Sequence, residues 1–417
     1  MTRRELFGSL AASAALFGIP ASAIETGKTP ALPDAALLAS DPEGYWRRIR
    51  DGQFLLPDWR AFLNNGSLGI APRPVLDAVT GYLLRSAELN LVEYPRWGYE
   101  TLDEYRSEMA DFLGCGKDEL AFTHNATEAM SMIAAGLDLK EGDEVLTTDQ
   151  EHPSGRSGWL MRQARYGITV RPVEIPLPPR NPGQLADLLI SAIGPRTRVL
   201  SFSGITTNTG LIFPMRDICA AARAKGVITV VDGAHVNGQI PVRISDLGCD
   251  FYAGSPHKWL FAPAGCGLLY LRGDMADRLW PSVVTAGWDD RSKKAARFMQ
   301  VGTNNRAIFE GMMAGLRLAK AIGPDNIYAR AHHLARTVWA KAAAKPYIEM
   351  LTPDDDRMYG ALVSMRFRNG NPQALWDLCH KRRIWTIEGP QVRISTHIHT
   401  RPQDIDLFFD CMQEAVG

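Results

Sequence analysis

Val227-Ile228-Thr229-Val230-Val231 runs straight into Asp232-Gly233-Ala234-His235, and Phe251-Tyr252-Ala253 runs into Gly254-Ser255-Pro256-His257-Lys258-Trp259. Both stretches are short, β-branched or aromatic runs that stop at glycine and titratable residues. That pattern fits strands buried on both faces, not amphipathic helices. Working outward, the same texture repeats from Glu119 to Leu271. Apolar strands at 120–123, 145–148, 168–173, 198–203, 227–231, 250–253 and 267–271 alternate with helical segments starting near Ala126, Gly155, Gln184 and Pro214. Repeated strand–helix–strand units predict an α/β fold with a mostly parallel sheet covered on both faces.

Outside this block the texture differs. Residues 1–23 carry Arg3 and Arg4, then Leu6-Phe7, an apolar small-residue stretch, and Ala21-Ser22-Ala23. The stretch is shorter than the ~20 residues a membrane span needs and ends in an Ala-x-Ala cleavage shape, so it reads as a signal peptide. The paired arginines resemble a twin-arginine signal, which implies periplasmic export of an already folded protein; an uncleaved N-terminal helix is the other reading. The expected organisation is a signal peptide (1–23), an N-terminal segment joining the small domain (24–60), a large domain (61–310) and a smaller α+β domain (311–417).

The 417 residues are 46% hydrophobic and 22% charged, with 46 basic and 46 acidic side chains. This is a globular composition with a sizeable core, and it excludes disordered and collagen-like classes. A formal net charge of zero gives no field for nucleic acid or an anionic membrane, so a small molecule or a protein surface is the expected partner. The six cysteines show no CxxC and no metal-type spacing, which predicts mostly buried free thiols and no metal site.

In open α/β sheets, ligands sit beyond the carboxyl ends of the strands. Asp232 at one such end and Lys258 in a Ser-x-His-Lys turn at another suggest pyridoxal 5'-phosphate. The lysine amine forms a Schiff base with its aldehyde, and the carboxylate pairs with its ring nitrogen. Singly, the Asp reads as a helix cap and the Lys as a solvated charge; together they are far more specific. Thr123-His124-Asn125-Ala126-Thr127-Glu128-Ala129 offers a helix N-terminus for the phosphate or an ordinary cap. His152, at the end of the run from Val145, is placed to stack on a ring or to pack.

On these motifs, with Leu63-Asn64-Asn65-Gly66-Ser67, Val301-Gly302-Thr303-Asn304 and Val392-Arg393-Ile394-Ser395, residues 45–415 resemble the class V aminotransferase family of fold type I. The likeness is to its isopenicillin N epimerase-like branch. The resemblance implies Lys258 and Asp232 as catalytic residues. It implies cofactor contacts from Ala126, Thr127, His152, His235, Ser255 and His257, with Thr303 reaching the phosphate from a neighbouring subunit of a homodimer. Asn65 and Arg393 become substrate-binding residues, Arg393 for an α-carboxylate; a structural salt bridge is its alternative role. The expected activity is aminotransferase-type chemistry on an amino acid or an amino-acid-bearing peptide or siderophore, a pyoverdine-maturation-like role being one example. Epimerisation comes second, and desulfuration or lyase chemistry follows. A nicotinamide oxidoreductase lacks its glycine fingerprint here, and a non-catalytic binding protein leaves Lys258 and Asp232 unexplained. Trp385–Gln391 contains no cysteine, and Cys379 is expected to lie in the core, so desulfuration ranks low.

Overall fold

The structure, a computed structural model, describes residues 29–88, 101–369 and 372–416. The arginine pair and the cleavage motif expected at the N-terminus lie outside the described residues. The strands, in chain order, are β1 (Ala61–Phe62), β2 (Leu120–Thr123), β3 (Glu144–Thr148), β4 (Thr169–Val173), β5 (Thr197–Ser203), β6 (Ile228–Gly233), β7 (Phe251–Gly254), β8 (Gly267–Leu271), β9 (Ile348–Met350), β10 (Leu362–Phe367), β11 (Ile384–Trp385) and β12 (Val392–Ser395). Seven of them form one sheet in the order β2-β8-β7-β6-β5-β3-β4. Strands β3 to β7 run parallel, and β8 is antiparallel to both its neighbours. The expected mostly parallel sheet is present, with element ends shifted by one or two residues from the sequence reading.

The sheet register brings the chemistry to one edge. Ser203 at the end of β5 pairs with Asp232 of β6, and Asp232 pairs with Ala253 of β7. Two helices begin just beyond that edge. Asn125 caps helix Ala126–Gly136 by accepting from the Glu128 N–H at 2.9 Å. His152 caps helix Pro153–Tyr166, where Pro153 occupies a position that needs no N–H donor.

From Leu32 on, the chain is one compact unit, and its described residues form two large apolar cores and two small clusters. The larger surrounds the seven-stranded sheet. The smaller joins Ala61 and Leu63 to β9, β10 and β12 and to the closing helix Pro402–Val416. The change of core falls inside helix Pro324–Ala343, not at residue 311. Helix Arg306–Ile322 lays Phe309, Met312 and Leu316 on the larger core, whereas Leu334 and Val338 belong to the smaller. The N-terminal segment also differs from expectation. Tyr45, Trp46 and Ile49 of helix Pro42–Gln53 pack into the larger core, while its Glu43 pairs with Arg330.

Candidate active site

A cavity of about 190 Å³ opens at the strand-end edge, and Asn125, Thr127, His152, Asp232, His235 and Lys258 are among its lining residues. Lys258 sits in the short helix Pro256–Trp259, carried there by the turn after β7. Its Nζ lies 2.9 Å from His235 Nε2, and no carboxylate among the described residues is within ion-pair distance of it. Burial lowers its pKa to about 8 against a partial restoring effect of Asp232. The shift enlarges the neutral fraction at ordinary pH, and the neutral amine is the form that attacks an aldehyde.

Asp232 is buried, and burial raises its pKa although Oδ1 accepts from the Ala234 N–H at 3.0 Å. Its Oδ2 is left clear by Gly155, where an added Cβ would stand 2.7 Å from that oxygen. A buried carboxylate with one oxygen facing a cavity calls for a cationic N–H partner, which a protonated pyridine supplies. His152 Nδ1 accepts from the Ser154 N–H at 3.1 Å, and burial followed by the Lys258 charge lowers its pKa, so the ring is neutral. At the other end of the cavity, Ser255 Oγ lies 3.2 Å from the Ala126 N–H, at the start of the helix capped by Asn125. His257 donates from Nδ1 to the Cys266 carbonyl at 2.9 Å, which leaves Nε2 for the cavity. A helix N-terminus with hydroxyls and an imidazole beside it is suited to a phosphate.

Arg393 of β12 is buried, and burial lowers its pKa to about 10. Its partners are all neutral: Asn64 Oδ1 at 2.7 Å, Ser67 Oγ at 2.6 Å and the Thr207 carbonyl at 3.0 Å. The alternative of a structural salt bridge fails, because no carboxylate among the described residues pairs with it. A buried cation held by neutral acceptors is stabilised by an incoming anion.

One expectation is corrected. Asn65 does not line the cavity: its Nδ2 donates to the Lys258 carbonyl at 2.8 Å and its Oδ1 faces His399 Nε2 at 3.2 Å. Both ends of its amide are engaged in holding the lysine turn. Thr303 is exposed and does not line this chain's cavity, so contact with a cofactor there requires a second copy. Sequence reading also missed Ser203 and Thr207, which line the cavity, and Glu151 behind it. Ser203 closes an apolar strand and was findable by the strand-end rule. Thr207 sits in a loop without distinctive spacing. All six cysteines are free thiols and none lines the cavity; Cys379 lies in the smaller core, its pKa pushed up to about 12 by burial.

Aminotransferase class-V sequences match this chain over residues 62–406. The chain belongs to the aminotransferase class-V family. This class V chain therefore has the fold type I architecture, and pyridoxal phosphate is the cofactor its cavity fits. It is 31% identical to the isopenicillin N epimerase of Streptomyces clavuligerus over 89% of this chain and 98% of that protein. It is also 31% identical to that of Amycolatopsis lactamdurans, over 84% and 94%. Among solved structures, a cystine C–S lyase complexed with its product cysteine persulfide superposes with a TM-score of 0.75 at 27% identity, covering 85% of this chain and 97% of that one. A cysteine desulfurase from Thermococcus onnurineus shares the fold at 23% identity and a TM-score of 0.77, over 88% and 97%.

Proposed function

We propose that this class V enzyme removes and replaces the α-proton of an amino acid, or of an amino-acid-bearing peptide or siderophore, whose carboxylate Arg393 holds. The observation that carries this reading is that Lys258 lines the cavity without a carboxylate partner, while Arg393, also without one, bonds to Ser67 and Thr207 of the same cavity wall. Pyridoxal phosphate, when bound, supplies the electron sink that acidifies the α-proton. Asp232 keeps the ring nitrogen protonated, and His152 offers a neutral aromatic face. Lys258 anchors the cofactor and, once its amine is released, accepts the proton and returns it.

Amino-group transfer is the first form of this chemistry. Epimerisation is the second, favoured by the 31% identity to isopenicillin N epimerases over nearly their whole length. The absence of a lining thiol argues against desulfuration. We infer further that the enzyme acts as a homodimer, with Thr303 completing the partner's site, and that Arg3 and Arg4 direct it to the periplasm.

The test is a panel of amino acids and short peptides incubated in D₂O, following α-deuteration, chiral inversion and 2-oxo-acid release. Deuteration with oxo-acid release supports transfer, and deuteration with inversion supports epimerisation. No α-exchange with any amino substrate, or rapid sulfide release from cysteine, refutes the reading.

A further inference from the structure

His235 stands between Lys258 and the residue that follows it. Its Nε2 lies 2.9 Å from Lys258 Nζ and 3.2 Å from Thr207 Oγ1, while its Nδ1 lies 3.3 Å from Trp259 Nε1. An indole nitrogen has one proton and no acceptor lone pair, so Trp259 can only donate. His235 Nδ1 must therefore carry the lone pair. The imidazole is 2% exposed, and burial above all, with the Arg393 charge adding to it, holds its pKa well below the usual histidine value, so it is neutral and its single proton sits on Nε2. The Thr207 hydroxyl is one acceptor for this N–H, and across the shorter 2.9 Å contact the Lys258 nitrogen is the other, where two donors would face each other if both groups were protonated. An ammonium offers none; a free amine does.

We propose that Trp259 is a positioning residue that locks His235 in its Nε2–H tautomer and thereby holds Lys258 as a free amine. This rests on Lys258 being the cofactor-anchoring lysine. The lock is built rigidly. Trp259 is 1% exposed and its ring stacks on His397 with centroids 6.0 Å apart and planes at 26°. The Trp259 carbonyl accepts from His397 Nε2 at 3.2 Å. Gly238, at φ +88°, lets the chain pass that carbonyl where a Cβ would come within 2.4 Å. On the other side, Gln239 Nε2 donates to the His235 carbonyl at 2.7 Å. Because Trp259 adjoins Lys258 in one helical turn, the segment that delivers the amine also delivers the group controlling its protonation. When the amine is engaged elsewhere, Nε2–H remains a donor aimed into the cavity.

The test uses full-length protein labelled with ¹⁵N-histidine, stripped of cofactor, with His235 assigned by its loss in His235→Gln. Wild type is expected to show a pyridine-type Nδ1 and a pyrrole-type Nε2 for His235 at pH 7. In Trp259→Phe, which keeps an aromatic ring and removes the donor, the two tautomers are expected to mix. The rate of pyridoxal phosphate loading, which follows the free amine, is expected to fall about tenfold at pH 7 as its pH midpoint moves up by about one unit. A protonated Nδ1 in wild type overturns the proposal even if the variant does not fold. So does a Trp259→Phe protein whose tautomer and midpoint match wild type. Wild-type protein that loads no cofactor at Lys258 refutes the underlying reading instead, so the two failures are distinguishable.

Discussion

Glu151 is a buried carboxyl within the electrostatic reach of Asp232, and none of the chemistry above uses it directly. Its Oε1 accepts from Thr148 Oγ1 at 2.6 Å and from the Ser203 N–H at 3.1 Å, and its Oε2 from Ser203 Oγ at 2.6 Å. Burial nonetheless dominates and raises its pKa to about 7, with the Asp232 charge adding to the rise. In the unfolded chain a glutamate titrates near ~4.3. The folded state therefore holds the proton between those values. Any stability that this proton uptake confers is fully present below about pH 4 and is lost as pH rises through 7. Glu151→Gln keeps the shape and removes the titration. Melting of the cofactor-free variant should match wild type near pH 4, pull ahead as pH rises towards 7, and exceed it by a few degrees at pH 8. A difference independent of pH would mean that Glu151 is ionised throughout.

At the scale of elements, helix Pro153–Tyr166 forms the wall against which Asp232 faces the cavity, and it can approach only because residue 155 lacks a side chain. A Cβ there would lie 2.7 Å from Asp232 Oδ2, whereas the helix backbone itself favours alanine over glycine. Gly155→Ala should therefore leave the melting temperature within a few degrees of wild type and weaken cofactor affinity at least tenfold, measured by fluorescence titration. Unchanged affinity would show that Asp232 Oδ2 does not face the ring. This element scale also explains what could be read in advance. Strand ends on a parallel sheet converge by geometry, so Asp232, His152 and Lys258 were legible from apolar runs and their stops. Asn65 was misread because the direction of a loop amide is set by distant contacts, here the Lys258 carbonyl and His399. The two-residue pair β1–β11 is too short for any periodicity to announce, yet it docks the Asn64–Ser67 loop beside Arg393. Trp259, read only as part of a motif, acquires a role through a hydrogen bond across a 24-residue separation.

For the whole molecule, the arginine of the smaller sheet reaches Thr207 and Ser67, which line the cavity that holds Lys258. Arg393 comes from β12 and its acceptors come from the Asn64–Ser67 loop and Thr207, so substrate affinity depends on how these parts sit together. The proposed export of the folded enzyme carries its own check. Replacing both Arg3 and Arg4 with lysine should retain the protein in the cytoplasm in an active, cofactor-loaded form. Normal periplasmic levels of that variant would contradict the twin-arginine route.

The central claim is that Lys258 holds pyridoxal phosphate at the cavity formed by β5, β6 and the lysine turn after β7. Borohydride reduction of the purified, cofactor-loaded protein, followed by peptide mapping by mass spectrometry, tests it most directly. The expected result is a single stable phosphopyridoxyl adduct on Lys258, absent from Lys258→Ala. A stoichiometric adduct on a different lysine, or none on a protein that retains the cofactor's absorbance, would contradict the account.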